Sequence, residues 1–161
     1  MTRPENVRDI IDTNGGRLVG KTRLQKSDYI LEAAGVGYGF EFDYHYYGPY
    51  SEDLAVAAAD AQALGLVAVQ WETSQSGSDY AVYLTQGAAP QMNARRREIL
   101  QILNAYGAIT LEVAATAHFL AQNGYRDDPW RETRRRKSVK ATPERITDAK
   151  RLLDQVGLSL L

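Results

Sequence analysis

The sequence predicts an α+β, mostly helical fold: a winged helix-turn-helix-like half over residues 1–88 and a packed helical lobe over 90–161, sharing one core. Three observations carry that prediction. Apolar residues recur at helical spacing along most of the chain. One run, Phe40 to Tyr46, alternates with period two between the second and third helices. Two short apolar runs enclose a polar turn, the pattern of a hairpin. Their order is helix, helix, strand, helix, strand, turn, strand, with the hairpin in the place of the wing.

Each element has a local reason. Over 4–13, Pro4 suits a first turn and Val7, Ile10 and Ile11 recur at helical spacing, until Asn14-Gly15-Gly16 stops the helix. From Thr22, a capping residue, Leu24, Ser27, Ile30, Leu31 and Ala34 line one side of a second helix that Gly35 closes. In the alternating run, Phe40, Phe42, Tyr44 and Tyr46 share one face of a strand, which Gly48-Pro49 is expected to break. Ser51 caps a third helix with Glu52 and Asp53 at its positive end and Leu54, Ala57, Ala58, Ala61 and Leu64 inward. Leu66–Trp71 and Tyr80–Leu84 are strands joined by the polar turn 73–79, and Gly87-Ala88-Ala89-Pro90 is a boundary. Helices over 92–106, 110–122 and from Thr142-Pro143 onward follow, the middle one apolar on nearly every face and so central. The charged stretch Arg126–Ala141 carries no clear periodicity.

Composition sets limits. A chain of 161 residues can bury one real core, and 44 % apolar with 24 % charged residues is ordinary for a globular protein. There is no cysteine, so disulfides, thiolate metal sites and cysteine nucleophiles are excluded together. No apolar run approaches the ~20 residues of a membrane span, and the first residues lack an apolar signal region, so a cytoplasmic protein is expected. The net charge of −1 hides an asymmetry. Residues 1–90 hold 6 basic and 12 acidic side chains, and 91–161 hold 13 and 8. An acidic front and a basic back imply two surfaces with different electrostatic preferences.

Two stretches resemble a known group. Gly20-Lys21-Thr22-Arg23-Leu24-Gln25-Lys26, followed by Phe42-Asp43-Tyr44-His45-Tyr46-Tyr47-Gly48-Pro49-Tyr50-Ser51, resemble the SocA-like antitoxin (Panacea domain) group and the related, uncharacterised YwgA-like proteins of bacteria and archaea. Leu111–Leu120 and Ile146–Leu158 resemble their later helices. The resemblance implies a small, mainly helical, non-catalytic protein, and for the antitoxin members a protein that binds and neutralises a toxin. One departure stands out: Ser27-Asp28 follows Lys26 where an apolar pair is expected.

The candidate sites are weighed by their context. Gly15-Gly16-Arg17-Leu18-Val19-Gly20-Lys21-Thr22 matches the phosphate-loop pattern letter for letter, and would put Lys21 on phosphates and Thr22 on magnesium. The strand such a loop needs before its first glycine is missing, so a turn between two helices is the favoured reading. A winged helix reads DNA with its third helix, but here that helix has Glu52, Asp53 and Asp60 and no basic residue. Arg95, Arg96, Arg97, Arg131, Arg134, Arg135, Arg136 and Lys137 form the alternative nucleic-acid surface, diluted by Glu98, Asp127, Asp128 and Glu132. Tyr47, Gly48, Pro49, Tyr50, Glu52 and Asp53 make a rigid, part-aromatic turn suited to a protein interface. His45 and His118 are the two histidines, and Glu112 and His118 lie on different helix faces, so neither a metal site nor an acid–base pair is expected.

The leading expectation is therefore a non-catalytic regulatory or protein-binding module, antitoxin-like by resemblance, without cofactor or metal. A DNA-binding winged-helix regulator using the basic half, for which a homodimer is one arrangement, is the alternative. A nucleotide-binding protein using Gly15, Gly20, Lys21 and Thr22 is a remote third.

Overall fold

A computed structural model describes residues 1–87 and 93–160. The expected boundary at 88–90 lies outside the described residues. The order is α1 (Arg3–Thr13), β1 (Arg17–Val19), α2 (Lys21–Ala33), β2 (Asp43–His45), β3 (Gly48–Tyr50), α3 (Glu52–Ala63), β4 (Ala68–Thr73), β5 (Asp79–Leu84), α4 (Ala94–Asn104), α5 (Ala108–Gln122), α6 (Pro129–Arg136) and α7 (Pro143–Gln155). The fold is α+β and mostly helical, as expected. None of the described helices is long and apolar enough to cross a membrane.

Side-chain caps set most helix starts, because the first N–H groups of a helix have no partner within it. Thr2 and Glu5 make a reciprocal capping box at α1, with Pro4 in the first turn. Ser51 caps α3, Asn93 caps α4, Asp128 caps α6 and Thr142 caps α7. Helix α2 differs: it starts at Lys21 behind Gly20, which has φ 94° and no side-chain cap, so Thr22 is inside the helix rather than its cap.

The strands depart furthest from expectation. The predicted turn between α1 and α2 contains a strand, β1, paired antiparallel with β5, so the sheet order is β1-β5-β4. The hairpin β4–β5 is present, from Ala68 opposite Leu84 to Thr73 opposite Asp79. The long aromatic strand is absent. Only Asp43–His45 pair, and their partner is Gly48–Tyr50, so the residues expected to break the strand form its return. The reason is the Glu32 carboxylate, which accepts the N–H groups of Tyr38 (2.9 Å), Gly39 (2.9 Å) and Phe40 (3.4 Å). Amides engaged by a helix side chain are not free to form a ladder.

Two apolar cores meet on α2. Leu24 packs with α1, α3 and the sheet around Ile10, Leu54 and Tyr83. Tyr29, Ile30 and Leu31 pack with the later helices around Leu103, Leu111 and Leu153. Leu24 through Leu31 are consequently buried without interruption, although the run includes Gln25, Lys26, Ser27 and Asp28. Polar ties reinforce the junction. Arg23 donates to the carbonyls of Leu103 (3.0 Å) and Tyr106 (2.5 Å), and Arg96 to those of Val36 (2.5 Å) and Gly37 (3.1 Å). Helix α5 is buried from Thr110 to His118, as its apolar pattern predicts.

Asp28 is fully buried and neither carboxyl oxygen has a hydrogen-bond partner. Burial, followed by the Glu32 carboxylate one turn away, raises its pKa well above the usual carboxylate range. An acid whose folded pKa is raised contributes its full stability below the unfolded pKa and loses it as pH rises toward the folded one. Asp28→Asn removes that titration. In denaturant melts the variant therefore gains on the wild type as pH rises from about 4, by up to about 1.4 kcal/mol per pH unit within the window. A pH-independent difference overturns the assignment.

Candidate functional site

The short hairpin β2–β3 and the start of α3 are held by side chains from beneath. Lys26 donates from Nζ to the Pro49 carbonyl at 2.6 Å, and Lys137 donates to the Tyr46 carbonyl at 2.8 Å. Gln25 satisfies Ser51 twice: its Nε2 donates to the Ser51 carbonyl at 3.0 Å and its Oε1 accepts the Ser51 N–H at 2.8 Å. Ser51 Oγ in turn accepts the Leu54 N–H, the cap of α3. The two stretches singled out in the sequence, Leu24-Gln25-Lys26 and Tyr47–Ser51, are thus one device: the first holds the second.

A buried counter-ion completes it. Glu112 on α5 lies 3.0 Å from both Lys137 Nζ and Lys140 Nζ. Burial pulls the Lys26 ammonium down to about 8, with the Glu112 charge opposing that shift. Gly48, at φ +85°, rests on α5 so closely that a Cβ would collide with Thr116 Oγ1.

Above this base lies a cleft of about 350 Å³ between the first turns of α2, one face of α3 and the β4–β5 hairpin. Tyr47, Tyr50, Trp71 and Tyr83 are its aromatic residues, and Ala55, Ala58 and Ala59 present little bulk from α3. Lys21, Thr22, Gln25, Lys26 and Gln62 are its polar lining, which includes no carboxylate. Lys21 Nζ stands 5.4 Å from the centre of the Trp71 ring, within cation–π range. Burial, and then Glu52, raise the Tyr50 phenol above its usual pKa, so it is a neutral donor at physiological pH.

The predicted interface residues divide. Tyr47 is 60 % exposed and Tyr50 half-buried, while Glu52 and Asp53 are exposed on the first turn of α3. Gly48 and Pro49 are buried, because the turn backbone faces the lysines and α5. The surface is therefore the two tyrosines and not the turn between them.

The phosphate-loop pattern does not form a loop. Arg17–Val19, at its centre, is extended and paired with β5, and the Gly20 N–H donates to Ala81. Amides engaged in a ladder cannot converge on phosphates. Lys21 and Thr22 instead join Tyr47 and Tyr50 in the cleft, so two motifs distant in sequence meet there.

Part of the basic set is engaged within the protein. Arg96 packs over the Tyr38 ring at 3.9 Å and pairs with Asp9 at 3.6 Å, Arg95 bonds to the Val156 carbonyl and Glu98, and Lys137 is buried. Arg136 sits over the Tyr44 and Tyr125 rings, and with Arg135 it binds Glu132. Hydrogen bonds from Arg135 and Arg136 hold that carboxyl down to about 2. Arg97, Arg131, Arg134, Arg135 and Arg136 are exposed. His118 Nδ1 bonds to the Tyr29 hydroxyl at 2.7 Å, and burial lowers its pKa, whereas Glu112 faces the lysines; the structure does not bring these two together. Among the described residues, no group of His, Asp or Glu is placed to share a metal ion.

The sequence reading missed Gln25, Lys26 and Glu112 as structural polar residues, and Trp71 and Gln62 as cleft walls. One signal was available, for Glu112. Glu112 is a charge set among apolar residues of a buried helix, which requires a partner, whereas Lys26, between Gln25 and Ser27-Asp28, gave no such signal.

Two substitutions test the clamp. Glu112→Gln leaves Lys137 buried without its counter-ion, and chemical denaturation should show a loss of about 3–5 kcal/mol. Gly48→Ala meets both a left-handed backbone and Thr116, and its loss should exceed the ~1 kcal/mol of an ordinary glycine replacement. A wild-type midpoint in either variant contradicts this description.

Comparison with known proteins finds a partial similarity. The uncharacterised protein YwgA of Bacillus subtilis (strain 168) is 30% identical over 74 residues, which are 46% of this chain and 45% of that protein. The match thus spans less than half the length of that relative. No family model matches the chain, and no solved structure does. Over the matched stretch the chain is YwgA-like.

Proposed function

We propose that this chain is a non-catalytic module that binds a protein partner through Tyr47, Tyr50 and the exposed first turn of α3, Glu52 and Asp53. The observation that carries this reading is the clamp beneath the tyrosines. Aromatic anchors bind best when they need little ordering on association. Here the backbone on both sides of Gly48 and Pro49 is tied to Lys26, Lys137 and Gln25. The partner face would be apolar where it meets the tyrosines and basic where it meets Glu52, Asp53 and Asp60. The neutralising role implied by the resemblance to SocA-like antitoxins falls within this reading.

A winged-helix reading of the first half draws on the order α1-β1-α2-β2-β3-α3-β4-β5 and the sheet order β1-β5-β4, with the β2–β3 hairpin as an insertion between α2 and α3. That order gives less support to DNA recognition. Helix α3 has no Lys or Arg, the wing turn 74–78 has none, and several arginines of the later helices are held by internal carboxylates and carbonyls.

The test is affinity capture from the source cells, then direct titration of the captured protein against purified wild type, Tyr50→Ala and Glu52→Lys. The reading expects a partner whose affinity falls at least about tenfold in both variants while their thermal melts stay unchanged. Equal affinity for all three proteins overturns it. Salt-sensitive binding to a random DNA duplex, lost on replacing Arg131, Arg134 and Arg135, would establish the regulator reading instead.

A further inference from the structure

We infer that the cleft between α2, α3 and the β4–β5 hairpin is a binding site for a small aromatic carboxylate. The inference does not depend on a protein partner, although the cleft shares Tyr47 and Tyr50 with that surface. Size comes first. About 350 Å³ lies at the lower end of the ~300–1,000 Å³ typical of small-ligand sites. It holds a one- or two-ring molecule and is too small for a long peptide segment.

The walls select a flat body. Tyr50, Tyr83 and Trp71 supply aromatic surface, and the alanines of α3 opposite them leave the space open. Trp71 is 58 % exposed, unusual for a tryptophan whose ring is also a cleft wall, and covering it gains apolar burial.

The polar groups select the charge. Two lining residues are already engaged: Gln25 by both backbone groups of Ser51, and Lys26 by Pro49. Lys21, Thr22 and Gln62 are different. Among the described residues, their side chains make no hydrogen bond or ion pair within the protein, and the Lys21 ammonium lies over the indole ring of Trp71. One unpaired ammonium, one hydroxyl and one amide, with no carboxylate in the lining, fit a single carboxylate group. A triphosphate would need a wider set of donors, and the backbone that could supply it is paired in β1. The stack of Lys21 on Trp71 places the cation beside the ring surface, so one molecule can meet both.

The experiment is calorimetric titration of the full chain with 2-naphthoate and, in parallel, with 2-naphthamide, which has the same rings and no charge. The site predicts saturable binding of 2-naphthoate, with the amide weaker by about tenfold or more. Lys21→Gln, at an exposed position, should weaken 2-naphthoate by a similar factor and leave the amide unchanged. Ala59→Phe, also exposed, fills the cleft and should abolish both, with circular dichroism confirming that each variant is folded. Absence of binding to wild type up to millimolar probe, equal affinity for acid and amide, or indifference to Lys21→Gln overturns the inference.

Discussion

The backbone between Tyr46 and Ser51 is satisfied by side chains, and the rest of the structure is arranged around that fact. A hairpin with three residues in each strand has too few ladder bonds to stand alone in water. Its buried carbonyls and N–H groups still need partners. Gln25, Lys26 and Lys137 provide them, the first two from α2 and the third from the residue that ends α6, far along the chain from the hairpin. Through Ser51 the same bonds set where α3 begins. The positions of Tyr47, Tyr50 and the floor of the cleft all follow from this small group of contacts.

That arrangement explains why a polar helix lies at the centre of the molecule. Helix α2 contributes Leu24 to one core and Tyr29, Ile30 and Leu31 to the other, so from Leu24 to Leu31 no side of it is left for solvent. Its Gln25 and Lys26 are buried because the hairpin requires them there, and Glu112 supplies the nearby negative charge. Asp28 has no such partner, and its carboxyl responds by favouring the neutral form.

The charge asymmetry of the chain acquires a physical meaning in the same way. The acidic residues of α3 stay on the surface, while many basic residues of the second half reach into carbonyls, rings and carboxylates. Arg96 is the clearest case, with two carbonyls of the α2–β2 connection, the Tyr38 ring and Asp9 around one guanidinium. A planar donor can serve several acceptors at once, which makes arginine suited to tying segments together. Counting such residues as an external basic surface overstates the charge available to a polyanion.

Local patterns determined what local physics controls. Caps at Ser51 and Thr142, apolar spacing in α1, α3, α5 and α7, and the polar turn between β4 and β5 were written in neighbouring residues. So was the mostly helical α+β class. The strand β1 was hidden because three residues, Arg17–Val19, are too few to show a period, and their pairing with β5 is decided more than sixty positions away. The aromatic alternation from Phe40 promised a strand, yet Glu32 captured its first amides. The cleft was invisible for the same reason: Lys21 and Thr22, Tyr47 and Tyr50, and Trp71 belong to three separate stretches. Sequence alone determined most of the segments that become helices, because hydrogen bonds four residues apart and caps three residues apart are local; α6 was the exception, since its charged stretch shows no apolar period. Only the tertiary structure decided which polar side chains go inside and which residues share a site, because a buried carbonyl accepts whichever donor the packing brings to it.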